Sequence, residues 1–288
     1  MKEPELPAIK HMPITKVSGF SSLLQSDTLS IEEPLEIRIE YGRGTARLKK
    51  NISVTMRTPG NDLELAIGFL FTEGIISSYQ DVQDVYHVCD GTKKMNIIQV
   101  ELVEQFMPHV IPSDRNFYTS SSCGVCGKSS IQSIKTVSPF YHGVNNPLSV
   151  STDILYHLPA KLKTAQSGFA TTGGIHASGL FNIQGDLVLL REDVGRHNAL
   201  DKLIGSALAK NLLPLNQHIL LLSGRASFEL IQKAAMAGIL IVAAIGAPSS
   251  LAVELAAEFN ITLLGFLKEN RFNIYNSGER IVIPAVYE

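Results

Sequence analysis

The sequence predicts an α/β chain, α+β overall. A small N-terminal α+β domain precedes a C-terminal three-layer α/β/α domain. Three observations predict it. Between residues 187 and 266, short continuously apolar runs alternate with helical stripes, the pattern of a sheet covered on both faces. Before residue 118, strands with period-two alternation surround one apolar helix. The chain has 288 residues, 45% of them hydrophobic, enough for a large core. The boundaries predicted are 1–118 for the first domain, 119–150 for a mobile loop and linker, and 151–288 for the second domain.

Residues 1–30 carry little pattern and read as a loosely held arm or edge strand. Leu35, Ile37, Ile39 and Tyr41 then alternate with polar residues, and Ile52, Val54 and Met56 do so again. Thr58-Pro59-Gly60-Asn61-Asp62 is turn chemistry, with Asn61 or Asp62 as N-cap of a helix from Leu63 to Phe71. Gly74 can end that helix. Val85–Cys89 and Met95–Leu102 flank Asp90-Gly91-Thr92, a hairpin signal.

Past residue 129 the chain is polar until about Asp153. Thr171 to His176 is a glycine-containing loop, and Leu187–Leu190 an apolar strand. Leu200, Leu203, Ile204, Ala207 and Leu208 make a helical stripe. The cycle repeats with strands at Ile219–Leu222, Ile239–Ile245 and Ile261–Phe266, and helices at Phe228–Ala237 and Leu251–Phe259.

Polar clusters fall at the ends of these strands. In an open α/β sheet that edge binds ligands, and helix N-termini there favour phosphate. Ser223-Gly224-Arg225-Ala226-Ser227 offers small residues for close approach and Arg225 for charge. Ser and Gly also serve simply to cap a helix, and that reading stays open for this loop. Arg196-His197-Asn198 has the same ambiguity. Lys268 and Arg271 flank the last turn. No GxGxxG or Walker motif is present, which excludes a standard dinucleotide or NTPase site.

Two of the three cysteines, Cys123 and Cys126, stand at CxxC spacing among Ser and Gly, with Lys128 close by. A packing cysteine would sit among branched apolar residues. A nearby cation favours the thiolate. Four readings are open: a reactive or persulfide-carrying thiol, a thioredoxin-like dithiol, a structural disulfide, or half a zinc site completed by His87 and Cys89. No second CxxC knuckle is present, and no bound metal is expected.

Composition bounds the partners. Net charge is −2 and 18% of residues are charged, so no global basic field invites nucleic acid. No signal-peptide pattern is visible, and the longest apolar stretch, Ile239 to Ala247, is too short to span a bilayer. The expectation is a cytoplasmic protein without membrane partners.

Five ordered motifs carry a family resemblance. They are TPGNDLELAIGFLFTEGII (Thr58–Ile76), SSSCGVCGKSS (Ser120–Ser130), TTGGIHASGL (Thr171–Leu180), REDVGRHNALDKLIG (Arg191–Gly205) and SGRASFELIQKAAMAGI (Ser223–Ile239). Together they resemble the formate dehydrogenase accessory proteins, the FdhD/NarQ sulfurtransferases. The resemblance implies a sulfur carrier that takes persulfide sulfur from a cysteine desulfurase. It would deliver that sulfur to the molybdenum (or tungsten) bis-guanine-dinucleotide cofactor, a bound client, before insertion into formate dehydrogenase. It also implies a cytidine-deaminase-like C-terminal part and a homodimer. By resemblance Cys123 carries the persulfide, with Cys126 as relay or resolving thiol. The cofactor segment falls on Phe266, Leu267, Lys268, Glu269, Asn270 and Arg271, and Ser223, Arg225 and His197 extend the expected site. His176 is followed by Ala and Ser, and no cysteine follows Cys126, so the zinc ligands of deaminases are missing. A non-catalytic cofactor chaperone with zinc on its CxxC is the competing reading.

Overall fold

The computed structural model describes residues 6–88, 95–108, 139–140 and 148–284. The chain opens on β1 (Ile9–Ser18) and β2 (Ser21–Ser30), an antiparallel hairpin of ten paired positions. Of the two readings of this stretch, loose arm or edge strand, the strand holds: it is a regular ribbon, with Gly19 at φ +60° turning it.

A four-stranded sheet follows, in the order β4 (Leu48–Arg57), β3 (Glu33–Tyr41), β6 (Ile97–Leu102), β5 (Val82–His87). On β3, Leu35, Ile37 and Ile39 are fully buried, as their alternation predicts. The end of β4 differs. Met56 is exposed, while Thr55 and Arg57 point inward. Polar partners explain the exchange: Arg57 holds Asp62 at 2.9 Å, and the Thr55 hydroxyl donates to Asn198 at 3.0 Å. A register shift between Ile37 and Arg38 lies along the same pair of strands.

Helix α1 (Asp62–Thr72) lies over this sheet and buries Leu65, Ala66, Leu70 and Phe71. Its N-cap is Asn61 in the left-handed region, and Gly74 follows its end at φ +72°.

The second sheet has six strands, in the order β13 (Arg271–Asn276), β12 (Thr262–Lys268), β11 (Ile241–Ala244), β10 (His218–Leu222), β8 (His176–Asn182), β9 (Leu187–Asp193). β10, β11 and β12 run parallel. β8 is antiparallel to both its neighbours, so β9 points the same way as β10. Helices α4 (Arg196–Ala209), α5 (Phe228–Met236) and α6 (Ser250–Glu258) cover one face. The other face is covered by α2 (Thr152–Ala165), through Leu155, Leu158 and Leu162. The expected three-layer α/β/α arrangement is present. Helix α2 has no counterpart among the elements the sequence predicts. Ser151 caps its first turn, accepting from the Ile154 amide. The short α3 (Ser167–Thr172) and a two-stranded pair, β7 (Val150–Ser151) with β14 (Ile281–Val282), are the remaining α-helix and strands among the described residues.

The two sheets are joined by α1 crossing α4. A Cβ on Gly68 would lie 1.9 Å from the Asp201 carbonyl oxygen, and one on Gly205 would lie 1.9 Å from the Glu64 carbonyl oxygen. The helix backbones therefore touch where neither residue has a side chain. Buried polar pairs lock the same junction. Lys233 of α5 reaches Asp201 at 2.9 Å and the Thr72 hydroxyl at 2.9 Å, and Lys202 reaches Asp193 at 2.7 Å. One buried apolar core runs from Leu35 through α1 and α4 to Leu263.

Candidate functional site: the carboxyl edge of the parallel strands

The parallel direction of β9 to β12 brings four loops to one edge. They begin after Asp193, Leu222, Ala244 and Lys268. The antiparallel β8 brings its first residue, His176, to the same edge.

Three of these loops are stitched side by side by backbone hydrogen bonds. The Gly246 amide donates to the Gly224 carbonyl at 3.0 Å, and the Phe266 amide donates to the Gly246 carbonyl at 3.1 Å. A Cβ on Gly246 would approach Arg225 Cγ to 3.0 Å, so the glycine leaves room for the arginine stem. Phe266 has φ +56°, a strained conformation for a bulky residue, and its ring is exposed. The strand is irregular between Gly265 and Lys268 at this point.

The predicted residues separate into two groups. Arg225, Lys268, Glu269, Asn270 and Arg271 are exposed, and among the described residues none of the three cations forms an ion pair or hydrogen bond. Phe266 stands with them. The others are committed to the fold. Ser223 Oγ accepts the Ala177 amide at 2.8 Å, fixing β8 to the end of β10. His197 is buried and holds Glu229 at 3.0 Å and Ser227 Oγ at 3.2 Å, joining α4 to α5. The Leu267 side chain is fully buried in the core under α2. Cys123, Cys126 and Cys89 lie outside the described residues. His87 is buried on β5, 3.8 Å from Asp62.

Two further residues stand at the same edge: Arg196, from the Arg196–Asn198 loop that the sequence already placed there, and His176, which it did not. Arg196 opens α4, and its buried Nε has no hydrogen-bond partner among the described residues. Unpaired buried donors are rare, and an anionic oxygen would satisfy this one. His176 sits by Gly224, where an added Cβ would be 3.3 Å from Nδ1. Burial, then the Arg196 cation and His197, hold its imidazole below the ordinary histidine range, against an opposite pull from Asp193. It is therefore neutral near pH 7, and can offer a donor or an acceptor.

Asp193 organises this corner. Its carboxylate accepts the Gly195 amide at 2.8 Å, Asn198 Nδ2 at 3.1 Å and the Thr58 amide at 3.2 Å, and pairs with Lys202. The Thr58 turn of the first sheet is thereby fixed beside the Arg196 loop of the second. The net effect is a basic rim. Its acidic neighbours Asp193 and Glu229 are already paired, and Glu269 alone is exposed in the last turn. Anionic oxygen groups are the chemistry such a rim accepts. Among the described residues no group of three or more His, Cys, Asp or Glu could hold a metal ion, and no helix is long and apolar enough to cross a membrane.

Fold and edge define an α+β protein built on two main sheets, with a cationic rim at the carboxyl ends of its parallel strands. The chain belongs to the FdhD/NarQ family, whose model matches residues 30–282. It is 47% identical over 272 residues to the sulfur carrier protein FdhD of Mycolicibacterium paratuberculosis, covering 93% of this chain and 97% of that one. It is 38% identical over 273 residues to the sulfur carrier protein FdhD of Sulfolobus acidocaldarius, covering 95% and 98%. In fold it matches the crystal structure of a candidate formate dehydrogenase accessory protein from Desulfotalea psychrophila. The TM-score is 0.72 at 22% identity, with 96% of this chain and all of that one covered.

Proposed function

We propose that this chain is a sulfur carrier for maturation of formate dehydrogenase, working through a persulfide on Cys123. The observation that carries the reading is family membership along nearly the whole chain, with relatives at 37–47% identity that are sulfur carrier proteins. The Cys123 thiolate attacks the sulfane sulfur of a cysteine desulfurase persulfide. The Cys123 persulfide forms and the donor leaves as a thiolate, with no net oxidation. The recipient is the molybdenum (or tungsten) bis-guanine-dinucleotide cofactor, bound as substrate by its phosphates. Arg225, Lys268 and Arg271 line its rim, and the unpartnered Arg196 Nε supports an anion there. CxxC spacing leaves Cys126 two roles. It can relay the sulfane sulfur. It can instead attack Cys123 Sγ, expel the terminal sulfur as hydrosulfide and leave a Cys123–Cys126 disulfide, which a thiol then reduces. The reading includes a homodimer in the cytoplasm.

The test is mass spectrometry of the protein after incubation with a cysteine desulfurase and cysteine, together with metal analysis. One added sulfur on the Cys123 peptide, lost in Cys123→Ala, is expected. Sulfur on Cys126 alone would reverse the assignment. Stoichiometric zinc without added sulfur would favour a cofactor chaperone instead.

A further inference from the structure

We infer that the outer edge of β2 is where this chain pairs with a second copy of itself, with Leu24 opposite its symmetry mate. The inference rests on the homodimer in the proposed function and gives it an interface.

A two-stranded ribbon alone is marginal in water, yet this one extends ten residues with both faces largely exposed. Seven of the nineteen exposed large hydrophobic side chains among the described residues lie on it. That share calls for a covering partner. Leu24 is 79% exposed and Phe20 at the tip is fully so.

The two edges of the ribbon are unlike. Gly19 has positive φ and Phe20 does not, the signature of a type II′ turn, so Ser18 and Ser21 form a hydrogen-bonded pair. Pairs then alternate down the ladder. The Ile31 amide donating to Ala8 at 2.8 Å lies in the same phase and confirms it. Pro13 therefore sits in a non-hydrogen-bonded pair with Ser26, and its missing N–H faces outward. Lys10 and Lys16 stand on the same strand. Proline and lysine are the residues that keep an edge from pairing.

β2 carries neither. Its outward-facing backbone groups belong to Ser22, Leu24, Ser26, Thr28 and Ser30, and at that last end the Ser30 hydroxyl is tied to Thr172 of α3 at 2.9 Å. The Thr28 amide is taken by the Asp27 carboxylate at 2.9 Å. The amides of Ser22, Leu24 and Ser26 have no protein partner among the described residues. A two-fold axis at Leu24 uses these three alone: Ser22 meets Ser26 of the second copy, Leu24 meets Leu24, and Ser26 meets Ser22. Symmetric pairing sets each charge near its own copy, so only a charge-poor strand can do it. Asp27 is the one charged residue on β2, and this register places it opposite Ser21 of the second copy. An acidic or basic partner strand would find no matching charge here. The result is a four-stranded sheet with Leu24 and Val17 of both copies on one face.

Sedimentation velocity and cross-linking test this. The wild type should be a dimer. Leu24→Lys and Ser26→Pro should be monomers with unchanged circular dichroism; the proline removes an outward N–H and no β1–β2 bond. If one variant misfolds, the other decides. With the three native cysteines replaced by serine, Leu24→Cys should form a disulfide dimer, because hydrogen-bonded partners stand about 5.5 Å apart. Thr28→Cys should not. A monomeric wild type overturns both the homodimer and this edge. A dimer that survives both variants, or Thr28→Cys linking as readily as Leu24→Cys, overturns the edge and leaves the homodimer standing.

Discussion

Replacing Gly205 with alanine should destabilise the protein sharply, although alanine is the better helix former. Its Cβ would lie 1.9 Å from the Glu64 carbonyl oxygen and 2.9 Å from the Gly68 amide nitrogen. Both obstacles are backbone, so no rotamer relieves them. Reaching a tight but tolerable contact near 3.2 Å requires α1 and α4 to separate by about 1.3 Å. A gap of that size forfeits a quarter to a half or more of the dispersion well for each facing contact. Leu65, Leu200, Leu203 and Ile204, all fully buried, belong to the core at this junction. Overpacking costs roughly 1–3 kcal/mol where side chains can yield, and more is expected where only backbone can. Alanine returns about 1 kcal/mol of helix propensity. A net loss of about 2–4 kcal/mol corresponds to a fall of roughly 5–10 °C in Tm for a chain of this size. Scanning calorimetry of Gly205→Ala and Gly68→Ala measures it. The double variant should cost less than the sum, since one separation relieves both clashes. An unchanged or higher Tm for Gly205→Ala would refute the close crossing.

The remaining predictions concern charge. Arg225→Ala should weaken GDP binding by about ten-fold or more in calorimetry, the loss of one charge-assisted hydrogen bond of roughly 1.5–3 kcal/mol, and wild-type binding should weaken with salt. Asp201→Ala should cost about 3–5 kcal/mol in denaturant melts by stranding buried Lys233, whose ammonium is held charged against burial by Asp201 and Glu73; a double variant with Lys233→Met should recover part of it. Burial lowers the histidine pKa of His218, and burial with Arg196 lowers that of His176, so below about 6.5 the unfolded chain binds protons that the fold refuses. Stability present above that pH should fall as the solution is acidified, and His218→Gln should flatten the decline in Tm between about pH 7 and pH 5.5.

Most of the second sheet was legible because its strands are buried on both faces and its helices carry a clear stripe. The rest was hidden for identifiable reasons. Helix α2 has the stripe Leu155, Leu158, Leu162, but Pro159 interrupts it and polar chain leads into it. The inward face of β4 ends in Thr55 and Arg57, which hydropathy assigns to water. Their partners Asn198 and Asp62 are known only once the sheets are stacked. Gly68 and Gly205 each look like a weak point in a helix; their use appears when the two are brought together.

The candidate site shows the same division. Local sequence displayed Arg225, Lys268 and Arg271, since loops at strand ends need no partner to be recognised. It also suggested His197 and Ser223, which the fold spends on Glu229 and the Ala177 amide. Arg196, whose loop it placed at this edge, and His176, which it passed over, gain meaning from neighbours far along the chain. Arg196 matters because its Nε is buried and unsatisfied, and His176 because an antiparallel strand delivers it to an edge built by parallel ones. Asp193 keeps the Gly195 turn and the Thr58 turn together, so the shape of the proposed anion rim depends on it. On the proposed reading, Asp193→Ala should therefore weaken GDP binding in calorimetry although the first sheet carries none of the rim's cations; unchanged affinity would remove this coupling.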